Sequence, residues 1–210
     1  MKRHVIYFVD EDEPARRANL RDLKALIDNP AIQIRDLAPL ATFAEYDSLA
    51  NDPATAAFIL DQKLKPGGMT YNGTDLALYL RGIDSKMPIY ILTGYAGETD
   101  EFRGFEYLIE YIIDKQHIED PNSDNAIKHK ARLLRHLDVF NDVRSARDQR
   151  FHDLIIKSSR EPLSVDETKE LIELEGERIG SVAAAEHERQ IKLDTEIEAM
   201  KKLLGRDQLL

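Results

Sequence analysis

The sequence contains no cysteine, which excludes disulfide bonds and thiolate chemistry. It also has no apolar run near the roughly 20 residues that a membrane-spanning helix needs. The first apolar run, Val5–Val9, is too short for the core of a signal peptide. From these absences we expect a cytoplasmic protein that does not associate with membranes.

Positive charge is scarce as well. The 210 residues hold 29 Lys and Arg against 39 Asp and Glu, which gives a net charge of −10. Broad binding to nucleic acid requires clustered cations that neutralise phosphates, so this balance argues against a nucleic-acid partner. Residues 123–163 are locally basic, with nine Lys and Arg against six Asp and Glu. The solvent-facing side of a long helix explains that segment.

Short apolar runs alternate with helical patterns up to about residue 118. We predict strands near residues 5–9, 32–36, 57–60, 88–92 and 111–114, and helices near residues 13–27, 42–50, 73–82 and 98–108. This alternation is typical of βα units around a parallel sheet. Five such strands predict a doubly wound α/β domain of strand order 2-1-3-4-5, in which the C-terminal ends of strands 1 and 3 flank a crevice.

The sequence changes character after the fifth predicted strand. Helix-forming residues dominate, and no further strand pattern occurs. One helical pattern covers residues 123–159 and is broken at Glu161-Pro162, because the residue before a proline disfavours helix. We therefore predict two domains, an α/β domain over 1–122 and an all-α domain over 123–210.

A second long helix follows the break. Ser164 and Glu167 have the spacing of a helix capping box, and Gly205 marks the predicted end of the helix. Two long helices joined by a short break predict an antiparallel hairpin or coiled coil. Such a hairpin cannot bury its apolar stripe alone, so we expect a homodimer or packing against the first domain.

Four of the predicted strands lead into polar or charged residues. These are Asp10, Glu11 and Asp12 after the first strand, Asp61 at the end of the third, Thr93 after the fourth, and Lys115 after the fifth. The C-terminal ends of parallel strands meet at one edge of a sheet, so we expect these side chains to converge. Carboxylates suit Mg²⁺, and phosphoryl transfer needs chiefly positioned groups that balance charge.

This set of residues resembles the receiver domain of two-component response regulators. The resemblance implies that Asp61 is the phosphoacceptor and that Asp10 and Glu11 hold Mg²⁺. It also implies that Thr93 contacts the phosphoryl group through its hydroxyl and that Lys115 pairs with the acyl phosphate. The backbone carbonyl two residues after the phosphoacceptor would be the third protein ligand to the metal.

That carbonyl belongs to Lys63 in this chain. The acidic cluster is one residue longer than the common family pattern, which leaves Glu11 and Asp12 as an alternative metal pair. The family's switch aromatic lies three residues before the lysine, where this chain has Ile112. Tyr111 is one residue away and is the candidate switch residue.

The resemblance covers residues 5 to about 118 and implies a response regulator rather than an enzyme. Its phosphoryl donor would be a histidine kinase or a small phosphodonor, and its output would be a protein partner bound by the C-terminal helices. Two alternatives remain open. Asp10 and Asp12 also resemble the DxD motif of haloacid-dehalogenase-like phosphatases, which would leave Asp61 unexplained, and a receiver-like scaffold could work without being phosphorylated.

Overall fold

The computed structural model describes residues 4–65, 68–94, 102 and 104–176, and its centre is a five-stranded parallel sheet. The strands are β1 (Val5–Val9), β2 (Gln33–Leu37), β3 (Thr55–Asp61), β4 (Ile89–Thr93) and β5 (Tyr111–Asp114). Their order is β2-β1-β3-β4-β5, and every neighbouring pair is parallel. The predicted fold class and strand order are confirmed.

The three central strands are buried along their whole length. Every residue of β1, β3 and β4 is buried, whereas β2 at the edge buries only Ile34. Helices cover both faces of the sheet, which is why the central strands are nearly continuous apolar runs.

Four α-helices surround or follow the sheet: α1 (Glu13–Ile27), α2 (Asp47–Asn51), α3 (Gly73–Ile83) and α4 (Asp124–Ser158). The helix predicted over residues 42–50 is divided into a 3₁₀ helix, Phe43–Tyr46, and α2. Its predicted capping box is present, because the Thr42 N–H donates to the Glu45 carboxylate at 2.7 Å.

The helix predicted over residues 98–108 is wrong in its described part. Residues 104–108 form a turn and then a 3₁₀ helix, Glu106–Leu108, while residues 98–101 and 103 lie outside the described chain. Gly104 has a φ of 86°, which an α-helix does not allow and which glycine adopts without steric cost. The apolar pattern in this segment instead supplies Phe102 and Leu108 to the core.

The long helix α4 begins as part of the sheet's core. Ser123 caps it by accepting the Ala126 N–H at 3.2 Å. The buried residues of its first half are Ala126, His129, Leu133, Leu137 and Phe140. The helix begins just after the domain boundary predicted at residue 122, yet its first half packs into the core of the α/β domain before it continues without interruption to Ser158. That boundary stays a prediction.

Two histidines of α4 contact aromatic side chains of the sheet. His136 Nδ1 lies 3.0 Å from the Tyr90 hydroxyl, and the His129 ring lies 5.3 Å from that of Tyr111. His129 Nε2 is also 3.3 Å from Nδ1 of His117, in the 3₁₀ helix that follows β5. Polar contacts as well as apolar ones therefore hold α4 on β4 and β5.

The chain turns back after α4. Residues 165–176 are helical, and the predicted capping box is formed, with the Ser164 N–H 2.9 Å from the Glu167 carboxylate. The predicted end of this helix at Gly205 lies outside the described residues. None of the helices in the described ranges is both long and apolar enough to span a membrane.

Two ion pairs fix how this helix returns along α4. Arg150 Nη2 lies 2.7 Å from Glu170, and Lys157 Nζ lies 2.7 Å from Glu167. The earlier residue of α4 pairs with the later residue of the second helix, so the two helices run antiparallel. The start of the predicted hairpin is therefore present.

Helix α3 begins in close contact with the end of β3. A Cβ atom built on Gly73 would lie 2.3 Å from the carbonyl oxygen of Asp61, well inside any allowed contact. Glycine is required here because the backbone of the helix touches the backbone of the strand. Gly82 in the last turn of the same helix has open space around its Cα.

We expect Gly73→Ala to lower the free energy of unfolding by about 1–3 kcal/mol, because the added methyl meets backbone that cannot move aside cheaply. Gly82→Ala is the matched control and should leave stability unchanged or raise it by up to about 1 kcal/mol. Urea denaturation of both variants measures this difference. Equal effects of the two substitutions would contradict the close approach of α3 to Asp61.

Candidate functional site

Strand alternation brings three charged residues to one face of the sheet. The last apolar residues of β1, β3 and β5 on the face covered by α1 and α4 are Phe8, Ile59 and Ile113. Side chains two residues apart on a strand share a face. Asp10, Asp61 and Lys115 therefore follow on this same face, at the C-terminal edge of the sheet.

The three residues are in direct contact. Lys115 Nζ lies 2.7 Å from Asp61 Oδ1 and 3.1 Å from Asp10 Oδ2. Asp61 is 5% exposed and Asp10 is 1% exposed, so both carboxylates are removed from water. One ammonium therefore lies between two buried carboxylates, as the strand ends predicted.

Backbone and amide groups hold the remaining carboxylate oxygens. Asp61 Oδ2 accepts the Lys63 N–H at 2.7 Å, and Asp10 Oδ1 accepts the Asp12 N–H at 3.0 Å. Asn19 of α1 donates its side-chain amide to Asp10 Oδ2 at 3.4 Å. The orientation of both carboxylates is thus set by groups from four different segments of the chain.

Glu11 has a different environment from Asp10. Its Oε2 atom is buried without a hydrogen-bond partner. Burial raises the pKa of Glu11, and the nearby negative charges of Asp61 and Asp10 raise it further. An unpartnered acceptor beside two other carboxylates is a suitable place for a cation.

Asp12, the alternative metal ligand, is used elsewhere. Its exposed side chain caps α1 by accepting the Ala15 N–H at 3.4 Å. The carboxylate of Asp10 instead faces the interior cluster. This geometry favours Asp10 with Glu11 over Glu11 with Asp12 as the acidic pair.

Burial and the neighbouring opposite charges shift the pKa values of Asp61 and Lys115 in opposite directions. Burial raises the pKa of Asp61, although the hydrogen bond and charge of Lys115 act to lower it. Burial also acts to lower the pKa of Lys115, but its contacts with Asp61 and Asp10 outweigh this and leave that pKa raised. The site therefore holds more negative charge than its single lysine balances.

Thr93 lies at the same edge of the sheet. It ends β4, is 1% exposed, and pairs in register with Asp114, the residue before Lys115. Leu92, directly before it, pairs with Asp61. The backbone of Thr93 is therefore a close neighbour of both the carboxylate and the lysine segments.

Tyr111 is not brought into the cluster. Its ring lies against His129, and the guanidinium carbon of Arg132 is 4.0 Å from the ring centre. Tyr111 begins β5, four residues before Lys115, which corresponds to about 13 Å along a strand. Tyr111 thus lies apart from the cluster, and its assignment as the switch residue stays a prediction.

Two residues with contacts at the site were not predicted. Asn19 is a buried amide on α1, and Gln62, directly after Asp61, is 4% exposed and bonded to the start of α3. The signal in the sequence is weak, because Asn19 is a single amide between Ala18 and Leu20, and Gln62 lies between two charged residues, Asp61 and Lys63. Its meaning depends on a partner far away in the chain.

Several solved structures are similar to this chain. A CheY-like response regulator receiver domain protein from Methanospirillum hungatei JF-1 is 21% identical with a TM-score of 0.45, over 64% of this chain and 97% of that chain. The response regulator TrrA from Thermotoga maritima, solved in complex with Mg²⁺-BeF, is 17% identical with a TM-score of 0.45, over 65% and 99%. The signal receiver domain of an HD domain-containing protein from Pseudomonas fluorescens Pf-5 is 20% identical with a TM-score of 0.48, over 69% and 94%.

Each of these similarities covers about two thirds of this chain. No family model matches the sequence, and no curated protein sequence matches it.

We expect Lys115→Met to lower the free energy of unfolding by about 2–3 kcal/mol near neutral pH, because two buried carboxylates lose their shared cation. The loss is smaller than for a fully buried pair, since the Lys115 side chain is 26% exposed. It should shrink as the pH falls. Unpaired buried carboxyls have a folded pKa above the unfolded value, so they destabilise the fold progressively as the pH rises from about 4 through that folded pKa.

Urea denaturation between about pH 4 and pH 8 measures this dependence. Lys128→Met removes the same charge from an exposed position at the start of α4 and serves as the control. A loss of the same size in both variants, or a loss in Lys115→Met that does not change with pH, would contradict the shared ion pair.

Proposed function

We propose that this protein is a response regulator that accepts a phosphoryl group on the carboxylate of Asp61. The observation that most supports the proposal is the buried contact between Asp61 and Lys115 at 2.7 Å, with Asp10 and Glu11 beside it. A nucleophilic carboxylate, a fixed cation and two further acids occupy one edge of a doubly wound sheet. Ligands bind at this place in such folds.

The chemistry asks little of the protein beyond position and charge. An Asp61 oxygen forms a bond to phosphorus while the bond from phosphorus to the donor's leaving group breaks, which gives an acyl phosphate. The Lys115 ammonium, already between the two Asp carboxylates, pairs with the oxygens of the transferred group. The donor is a histidine kinase or a small phosphodonor.

Mg²⁺ fits the same site. The residues that would hold it are Asp10, Glu11 and Asp61 through their carboxylates and Lys63 through its carbonyl, an all-oxygen set of the kind Mg²⁺ prefers. When bound, Mg²⁺ supplies positive charge that balances the phosphoryl oxygens. In the described part of the chain, no three His, Cys, Asp or Glu side chains already form a ligand set. Because Lys115 Nζ contacts the carboxylates of both Asp10 and Asp61, Mg²⁺ would compete with this ammonium for them.

Thr93 is the proposed sensor of phosphorylation. The support for this role is its position at the end of β4, where its backbone neighbours the segments of Asp61 and Lys115. Tyr111 has no part in this proposal, because its ring is engaged by α4.

The output passes through α4 into the helical hairpin. The 3₁₀ helix that begins at Lys115 contacts α4 through the His117–His129 pair at 3.3 Å. A displacement of Lys115 on phosphorylation would therefore move residues that touch α4. The hairpin exposes apolar side chains: Ile155 is 45% exposed, Ile156 46% and Ile172 62%. We propose that this surface binds a protein partner or a second copy of the chain, as a homodimer.

No observation favours the phosphatase alternative. A DxD nucleophile would require Asp10 and Asp12 to act together on a substrate. Asp10 is buried against Lys115, and Asp12 caps α1. A receiver-like scaffold that is never phosphorylated would gain no phosphoryl group from a small phosphodonor with Mg²⁺.

With a small phosphodonor and Mg²⁺, we expect the protein to gain one phosphoryl group, and Asp61→Asn to gain none, because the amide is not a nucleophile for phosphorus. Intact-protein mass spectrometry measures the addition. Asp138→Asn, at an exposed position on α4, is the control and should be modified like the wild type. Equal uptake by Asp61→Asn and the wild type, or none by either, would reject the proposal.

Mg²⁺ titration should separate the two possible acidic pairs. We expect Glu11→Gln to weaken Mg²⁺ binding by about tenfold or more, because a neutral amide replaces a charged oxygen ligand. Asp12→Asn should bind Mg²⁺ like the wild type, since asparagine is also a good helix cap. Isothermal titration calorimetry measures both affinities. A larger loss in Asp12→Asn than in Glu11→Gln would favour Glu11 with Asp12 as the metal pair.

A further inference from the structure

The residue after Asp61 is bonded to the start of α3 by three hydrogen bonds. The Gln62 carbonyl accepts the Gly73 N–H at 3.0 Å. The Gln62 side-chain carbonyl accepts the Thr74 N–H at 3.2 Å, and its amide donates to the Thr74 hydroxyl at 3.4 Å. Gln62 and Thr74 are each 4% exposed, so these groups have little access to water.

These bonds satisfy N–H groups that a helix cannot satisfy internally. The first four N–H groups of an α-helix have no partner within the helix. A side chain that precedes the helix usually supplies one acceptor, and here Asn72 and Asp75 form a capping box. Gln62 supplies two more acceptors from the end of a strand, eleven residues before Gly73.

The contact also fixes the backbone of Asp61. The absence of a side chain at Gly73 lets the helix lie against the Asp61 carbonyl, where a Cβ would be 2.3 Å away. The bonds of Gln62 and this apposition act on two consecutive peptide groups. Gly73 lies against the carbonyl of the Asp61–Gln62 peptide, and its N–H donates to the carbonyl of the Gln62–Lys63 peptide. The Gln62–Lys63 peptide cannot rotate without breaking that bond to α3.

Hydrogen bonds hold both ends of the connection between β3 and α3. Its near end carries Lys63, whose N–H donates to Asp61 Oδ2 at 2.7 Å. Its far end carries Tyr71, whose hydroxyl lies 3.1 Å from that of buried Tyr46. Lys63 comes directly after Gln62, whose bonds to α3 fix its place. We therefore expect the position of Lys63 relative to Asp61 to depend on the bonds of Gln62.

We propose that Gln62 is a positioning residue for phosphoryl transfer at Asp61. Through Thr74 at the start of α3, its side-chain amide sets the backbone of the 61–63 segment. It thereby orients the Lys63 N–H toward the carboxylate and the Lys63 carbonyl toward Mg²⁺. This inference rests on the proposed function, and it adds a residue that touches neither the phosphoryl group nor the metal.

Gln62→Met tests the role of the amide. Methionine keeps the unbranched length of the side chain and removes both of its hydrogen bonds. We expect Mg²⁺ affinity to fall about tenfold or more, the range seen when partners of metal ligands are removed. At saturating Mg²⁺ the rate of phosphorylation should also be lower, while Asp61 remains the modified residue.

Two controls separate positioning from support of the fold. Tyr79→Phe removes a hydrogen bond between the same helix and Asp47, on a contact that does not involve Gln62. It should lower stability but leave Mg²⁺ affinity within about twofold of the wild type. Thr74→Ser keeps both the N–H and the hydroxyl that bond Gln62 and should behave like the wild type.

The measurements are Mg²⁺ affinity by calorimetry, the phosphorylation rate by mass spectrometry, and unfolding in urea for each variant. Wild-type Mg²⁺ affinity and phosphorylation rate in Gln62→Met would overturn the proposal, and so would equal losses of affinity in Gln62→Met and Tyr79→Phe. A wild-type protein that neither binds Mg²⁺ nor accepts phosphate would instead reject the proposed function, and this inference with it.

Discussion

One partly exposed ammonium between two buried carboxylates is the interaction on which the site depends. Asp10 and Asp61 are almost fully removed from water, and Lys115 contacts both at 2.7–3.1 Å. Charged groups this far removed from water are stable only when the backbone holds them in the right geometry to pair. The parallel pairing of β1 with β3, and of β4 with both β3 and β5, supplies that register. The apolar core below the site offsets the free energy of keeping these charges together.

The sheet and the long helix could be predicted because their patterns have a direct physical cause. Strands covered on both faces must be apolar throughout, and β3 and β4 are continuous apolar runs in the sequence. The segment over residues 98–108 misled the prediction, since its apolar spacing fits a helix. At Gly104 the backbone takes a positive φ, and the apolar side chains reach the core from turns instead.

The candidate site also contains residues that the sequence predicts and residues that it does not. Asp10, Asp61 and Lys115 follow strand ends, and the topology of a parallel sheet brings strand ends together. The role of Tyr111 as the switch residue stays a prediction, because it depends on the spacing from Lys115 along the chain, and the ring of Tyr111 contacts His129 of α4. Gln62 could not be foreseen, because its partner, Thr74, lies across a long loop whose path the sequence does not specify.

The unbroken course of α4 has a mechanical consequence. Its first half packs on the sheet, and Arg144 Nη1 lies 3.1 Å from Asp84 at the end of α3. Further along the helix, Arg150 pairs with Glu170 of the hairpin. From Arg144 to Ser158 the helix extends for about 20 Å. A tilt of about 10° at the seated end would swing the far tip through roughly 4 Å over that length. Any tilt of the seated half would therefore displace the hairpin further than it displaces the residues next to the sheet.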